Sequence, residues 1–112
     1  MKVEVSTDKP IPDTVLGQVV AAVEAGLARH KERATRAEVH LKNTGGGSPT
    51  MPMECRIEVR PAGRDPVVVS HEAASLGEAV EGAAGKMERR LESLFGRLDS
   101  TRGGASASGQ PT

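Results

Sequence analysis

The sequence predicts an α+β fold, a two-layer sandwich in the order β-α-β-β-β-α, with a four-stranded mixed sheet and two helices on one face. Three observations predict it. Short segments alternate polar and apolar residues with the period of a strand, two longer segments repeat apolar residues at helical spacing, and the helical segments follow the first and the last strand. A helix between the first two strands makes them a parallel crossover pair, while short links make the remaining strands an antiparallel meander.

The first strand covers residues 2–7, with Val3 and Val5 on one face. Residues 8–13 then turn the chain into a helix. Pro12 suits a first helical turn, where no N–H is needed, and Asp13 sets a carboxylate near the helix's positive end. Val15, Val19, Ala22, Val23, Gly26 and Leu27 form the apolar stripe, and the helix is expected to last to Lys31 or Arg33. Its Ala and Gly positions allow close approach to a sheet.

The second strand, residues 36–42, alternates Ala37, Val39 and Leu41 inward with Arg36, Glu38, His40 and Lys42 outward. Residues 43–52 are rich in Gly, Thr and Pro and read as a flexible loop longer than a tight hairpin needs. The third strand, residues 53–60, turns Cys55, Ile57 and Val59 inward and Glu54, Arg56, Glu58 and Arg60 outward. Charges of both signs on the outward positions can pair across strands in water, so one sheet face is expected to be solvated and the other covered by both helices. Ala62-Gly63-Arg64-Asp65 closes a hairpin to a strand at residues 67–70. Ser75 and Glu78 have the spacing of a capping box, and the stripe Leu76, Val80, Ala83, Met87, Leu91, Leu94, Leu98 follows. The reading is one domain over residues 1–99 and a disordered Gly/Ser-rich tail over residues 100–112.

Composition excludes several function classes. Of 112 residues, Phe95 is the single aromatic, so the core must be aliphatic and an RNA reader that stacks bases on aromatic rings is ruled out. Fifteen basic and fifteen acidic residues cancel, so any nucleic-acid binding must come from a local patch. Cys55 is alone and forms no internal disulfide, no Cys/His group has zinc spacing, and His30, His40 and His71 lie far apart. Gly45-Gly46-Gly47 lacks the Lys-Ser/Thr of a phosphate-binding loop, and there is no nucleophile elbow. Neither a signal peptide nor a membrane span is read. The expectation is a cytoplasmic protein that is not an enzyme and takes no cofactor and no metal.

Two basic clusters remain. The last helix carries Lys86, Arg89, Arg90 and Arg97; alone, such a cluster reads as a solvated helix face, and Glu81, Glu88 and Glu92 are available to pair with it at helical spacing. Arg29, Lys31, Arg33 and Arg36, with His30, form a second run where the first helix should end, a place the helix dipole already favours for cations.

Glu78-Ala79-Val80-Glu81 followed by Lys86-Met87-Glu88-Arg89-Arg90-Leu91 resembles the last helix of the ribosome hibernation-promoting factor family, which includes the short protein Y-type factors, also called ribosome-associated or sigma-modulation proteins. Ala79-Val80-Glu81 is similar to its Ala-Ile-Asp-like step, Lys86-Met87 to its Lys-Leu pair and Arg90-Leu91 to its final Arg/Gln-Leu step; Ile11 to Leu27 is similar to its first helix. The resemblance implies a short-form translation inhibitor that lodges in the decoding channel of the small ribosomal subunit under stress, contacts its rRNA and blocks mRNA and tRNA. It assigns rRNA contact to Lys86, Arg89, Arg90 and Arg97, with Arg29, Lys31, Arg33 and Arg36 in support, as one cationic surface across both helices. The implied partner is the small subunit's rRNA, with no membrane and no DNA, and the chain is expected to be a monomer. The alternative is a protein-interaction module that keeps the fold without the ribosome. The neutral net charge favours it, as do Gly77 and Ser93 where the family carries an aromatic and a further basic residue.

Overall fold

A computed structural model describes residues 1–43 and 53–103, with side chains up to residue 96 of the last helix. The elements are β1 (Lys2–Thr7), α1 (Asp13–Gly26), a single 3₁₀ turn (Ala28–His30), β2 (Ala34–Asn43), β3 (Met53–Pro61), β4 (Val67–Ala73) and α2 (Leu76–Gly103). The sheet order is β1-β2-β3-β4, with β1 parallel to β2 and the other pairs antiparallel, as the element order predicted. The loop at residues 44–52 and the tail from residue 104 lie outside the described residues.

Period-two alternation places three rows of side chains on the inner sheet face. They are Val3–Ala37–Val59–Val67, Val5–Val39–Ile57–Val69 and Thr7–Leu41–Cys55–His71, each following the strand register. The middle row is the centre of the core, where Val39 and Ile57 are fully buried. Helix α1 packs over β1, helix α2 over β3 and β4, and the helices meet each other. Val19 and Val23 come from α1, and Ala79, Val80, Ala83, Ala84, Met87, Leu91 and Phe95 from α2; with the strands they form one contiguous core. The helices approach closely at Gly26, where an added Cβ would sit 3.1 Å from the Cβ of Ala84.

The outer face is charged. Glu4, Glu38 and Glu58 are direct cross-strand neighbours, an arrangement that like charges disfavour. Cations relieve it: Arg36 Nη2 lies 2.7 Å from Glu4, Arg36 Nε 3.7 Å from Glu38, Lys2 3.6 Å from Glu4 and Arg60 3.4 Å from Glu58. Among the described residues Arg36–Glu4 joins two strands, while the other pairs run along one strand.

Besides shifts of one or two residues at the ends of β2 and β3, boundaries differ from the sequence reading in three places. First, α1 stops at Gly26. Leu27 has φ −110° and ψ 12°, its side chain is fully buried, and the 3₁₀ turn carries the chain on towards β2. The basic run 29–33 therefore lies in and beyond the 3₁₀ turn and not on the last turn of α1, which ends at Gly26, a poor helix former. Second, β4 continues to Ala73, because His71 and Glu72 keep the alternation and pair with Cys55 and Glu54. Third, α2 runs to Gly103, past residue 99. The Ser75 cap is present, its Oγ accepting from the Glu78 N–H at 3.2 Å.

Burial pushes the Cys55 thiol up to about 12. Gly82 has a steric role: the imidazole of His71 fills the space a Cβ would take there, with its Cγ 2.6 Å away and Cδ2 and Nε2 closer still. Gly82→Ala is expected to destabilise the protein by about 1–3 kcal/mol through overpacking, although alanine is the better helix former by about 1 kcal/mol. In a His71→Ala background the same change should become stabilising. Denaturant unfolding of the double-mutant cycle checks this, and an identical effect in both backgrounds would refute it.

Candidate functional site

The apolar seam of α2 faces the sheet, and its charged residues divide to either side of that seam. Lys86, Arg89 and Arg90 are spaced i, i+3, i+4 and share one flank. Glu88 and Glu92 are themselves i, i+4 neighbours and, at about 100° per residue, come round on the other flank. The pairing of these glutamates with the helix's own cations, open on the sequence, is therefore absent among the described residues.

On the first flank, Lys86, Arg89 and Arg90 line a shallow depression of about 270 Å³ floored by Val69 of β4. Lys86 Nζ donates to the Ser70 carbonyl at 2.9 Å, which ties the helix to the edge strand and satisfies a carbonyl there. Arg89 and Arg90 are exposed and make no ion pair or side-chain hydrogen bond among the described residues. The depression is thus a concentration of three positive charges with no carboxylate partner, suited to an anion and above all to a polyanion. The side chain of Arg97 lies outside the described residues.

The second flank is different. Arg29, just beyond α1, reaches α2 and donates from Nη1 to Glu88 at 3.2 Å and from Nη2 to Glu92 at 2.9 Å. His30 is buried, with its ring centroid 5.6 Å from that of Phe95. Arg33 places its guanidinium 5.0 Å from the centroid of the Phe95 ring, a cation–π contact. Arg29, His30, Arg33, Glu92 and Phe95 line a cleft of about 360 Å³. Lys31 is exposed to solvent. Arg36 stands on the outer sheet face, held by Glu4 and Glu38.

The seven of the eight singled-out cations whose side chains are described are therefore not gathered into one surface. Lys86, Arg89 and Arg90 come together, Arg29 and Arg33 border a separate cleft, and Arg36 lies on the opposite face of the sheet. The expectation of one cationic surface across both helices is corrected on this point, because the end of α1 at Gly26 and the seam of α2 send the two runs apart. Sequence reasoning passed over Phe95 as a site element, although a lone aromatic within the basic half of a helix was a signal. It also missed the meeting of His30 with Glu88 and Glu92, which only the tertiary fold creates.

Comparisons with known proteins agree with the fold. A family model described as sigma 54 modulation protein / S30EA ribosomal protein matches residues 15–99. The chain is similar to the solved Protein Y N-terminal domain of Thermus thermophilus, at TM-score 0.59 and 24% identity, covering 83% of this chain and 94% of that one. It is also similar to a ribosomal subunit interface protein from Coxiella burnetii, at TM-score 0.66 and 12% identity, covering 86% and 99%. Among curated proteins, none matches.

The Arg36–Glu4 pair has a measurable signature. Hydrogen bonding and charge from Arg36 hold the Glu4 carboxyl below the usual glutamate range. Its contribution to stability is present above the ordinary glutamate pKa and lost as pH falls through the depressed value. Arg36→Ala should return Glu4 to the ordinary range in a carboxyl NMR titration; an unchanged Glu4 would rule the pair out.

Proposed function

Since the chain belongs to the sigma 54 modulation protein / S30EA ribosomal protein family, a family of ribosome-associated factors, we propose that it binds the small ribosomal subunit and inhibits translation as a hibernation factor. On this reading it is a cytoplasmic protein that binds rRNA in the decoding channel, excludes mRNA and tRNA under stress, and acts as a monomer by occupancy and electrostatics without catalysing a reaction. The observation that carries the reading is the depression formed by Lys86, Arg89 and Arg90, where no glutamate among the described residues pairs with these cations.

The physics suits such a role. Positive charge that is not neutralised by the protein's own carboxylates releases counterions when it meets a phosphate backbone, and this supplies affinity without aromatic stacking. Arg89 and Arg90 present guanidinium groups that bind phosphate oxygens two at a time, with Lys86 as a fixed point charge beside them. The neutral overall charge limits attraction to this local surface, so binding is expected to be strongly salt-dependent. In the same reading Arg97 extends the contact and Lys31 is a peripheral one. Arg29, Arg33 and Arg36 contribute less, because each already has a partner within the protein.

No helix among the described residues is long and apolar enough to cross a membrane. The test is co-sedimentation with purified small subunits at rising salt. The full chain should pellet with the subunit at low salt, and Lys86→Glu/Arg89→Glu/Arg90→Glu should lose most of that binding. Each phosphate contact removed lowers the log–log salt slope by roughly 0.7–0.9. Arg36→Glu, on the outer sheet face, should have a much smaller effect. Absence of co-sedimentation at low salt would overturn the proposal and favour the protein-interaction alternative, which the intramolecular pairing of Arg29 and Arg36 supports.

A further inference from the structure

We infer that the second flank of α2 holds a site for one divalent transition-metal ion of the zinc class, ligated by Nε2 of His30 and by one carboxylate oxygen each of Glu88 and Glu92. The ligand atoms come from distant parts of the sequence, yet they all lie within 4.8 Å of one another. The inference is independent of ribosome binding, because these residues are not those of the Lys86–Arg89–Arg90 depression.

The imidazole is the second, separate observation. His30 is only 9% exposed, and its Nε2 is buried without a hydrogen-bond partner among the described residues. An unpaired buried ring nitrogen is destabilising and calls for a reason. The atom points at the carboxylates: Glu88 Oε2 is 3.6 Å away, longer than a hydrogen bond. That separation suits two ligands of one ion, since zinc bonds of about 2.0–2.2 Å at a tetrahedral angle place neighbouring donors roughly 3.4 Å apart. Packing against Phe95 restrains the imidazole plane, which prepares one ligand in advance.

The carboxylates already hold a cation. Arg29 donates to Glu88 and to Glu92, but its side chain is 69% exposed, and exposed pairs of this kind are weak. A divalent ion matches the two negative charges, where a guanidinium neutralises only one, and it gives Nε2 a partner. A donor set of one imidazole and two carboxylates selects zinc, cobalt or nickel over magnesium and calcium, which take oxygen ligands. The adjoining cleft of about 360 Å³ leaves room for water to complete the coordination.

The test titrates the full chain with Zn²⁺, and separately with Co²⁺, in a non-chelating buffer, by calorimetry and by long-range ¹H–¹⁵N spectra of the histidine rings. One equivalent is expected to bind, moving the Nε2 resonance of His30 while His40 and His71 stay in place. Glu92→Gln, at an exposed side chain, should weaken binding by at least the roughly tenfold that loss of even an outer-shell partner brings. Arg29→Ala should tighten binding about two- to fivefold by removing the competing guanidinium. Absence of saturable zinc binding would overturn the site. So would binding that survives Glu88→Gln and Glu92→Gln, or a His30 resonance that responds to pH and not to metal, which would identify a simple imidazolium–carboxylate pair.

Discussion

The rotation of α2 about its own axis is set by one buried seam, and every charged side chain on the helix inherits its surroundings from that rotation. Ala79, Val80, Ala83, Met87 and Leu91 are buried to within a few per cent against β3, β4 and α1. Turning the helix by one residue would expose Met87 and Leu91 and bury an arginine, at several kcal/mol for each unpaired charge. The small residues let the helix lie close at one end, and the larger ones fill the space as it passes over the sheet. With that seam in place, Lys86, Arg89 and Arg90 emerge beside the β4 edge, and Glu88 and Glu92 emerge beside the end of α1.

The two flanks have opposite electrostatic fates for that reason. On one, the neighbours are the Ser70 carbonyl and the apolar Val69, so positive charge accumulates. On the other, the chain leaving α1 brings Arg29 and His30 against two carboxylates, so charge is neutralised within the molecule. A net charge of zero thus conceals a strongly uneven distribution. An uneven distribution of this kind supports local recognition of an anion where a global field does not.

Much of this was legible in the sequence. Period-two alternation found all four strands, since one face is buried and a slip of one residue would turn every apolar side chain to water. The order of elements was enough to derive the sheet order. What remained hidden is tertiary in origin. Residues 28–33 carry no glycine or proline to stop a helix, and Leu27 continues the apolar stripe of Val19 and Val23, so the end of α1 at Gly26 was too weakly marked to read. The division of cations from glutamates on α2 was readable in principle from the helical angle between Lys86 and Glu88. The Arg29–Glu88–Glu92 cluster was not readable, because it joins segments distant in sequence that meet only when both helices share one face of the sheet.

Cys55 lies in the third inner row beneath α2, fully buried, with its thiol pushed up to about 12. Thiolate is the form that peroxides and electrophiles attack, and burial disfavours it here. The chain's sole sulfhydryl is thereby shielded from oxidants twice over, by lack of access and by lack of charge, as a structural cysteine is.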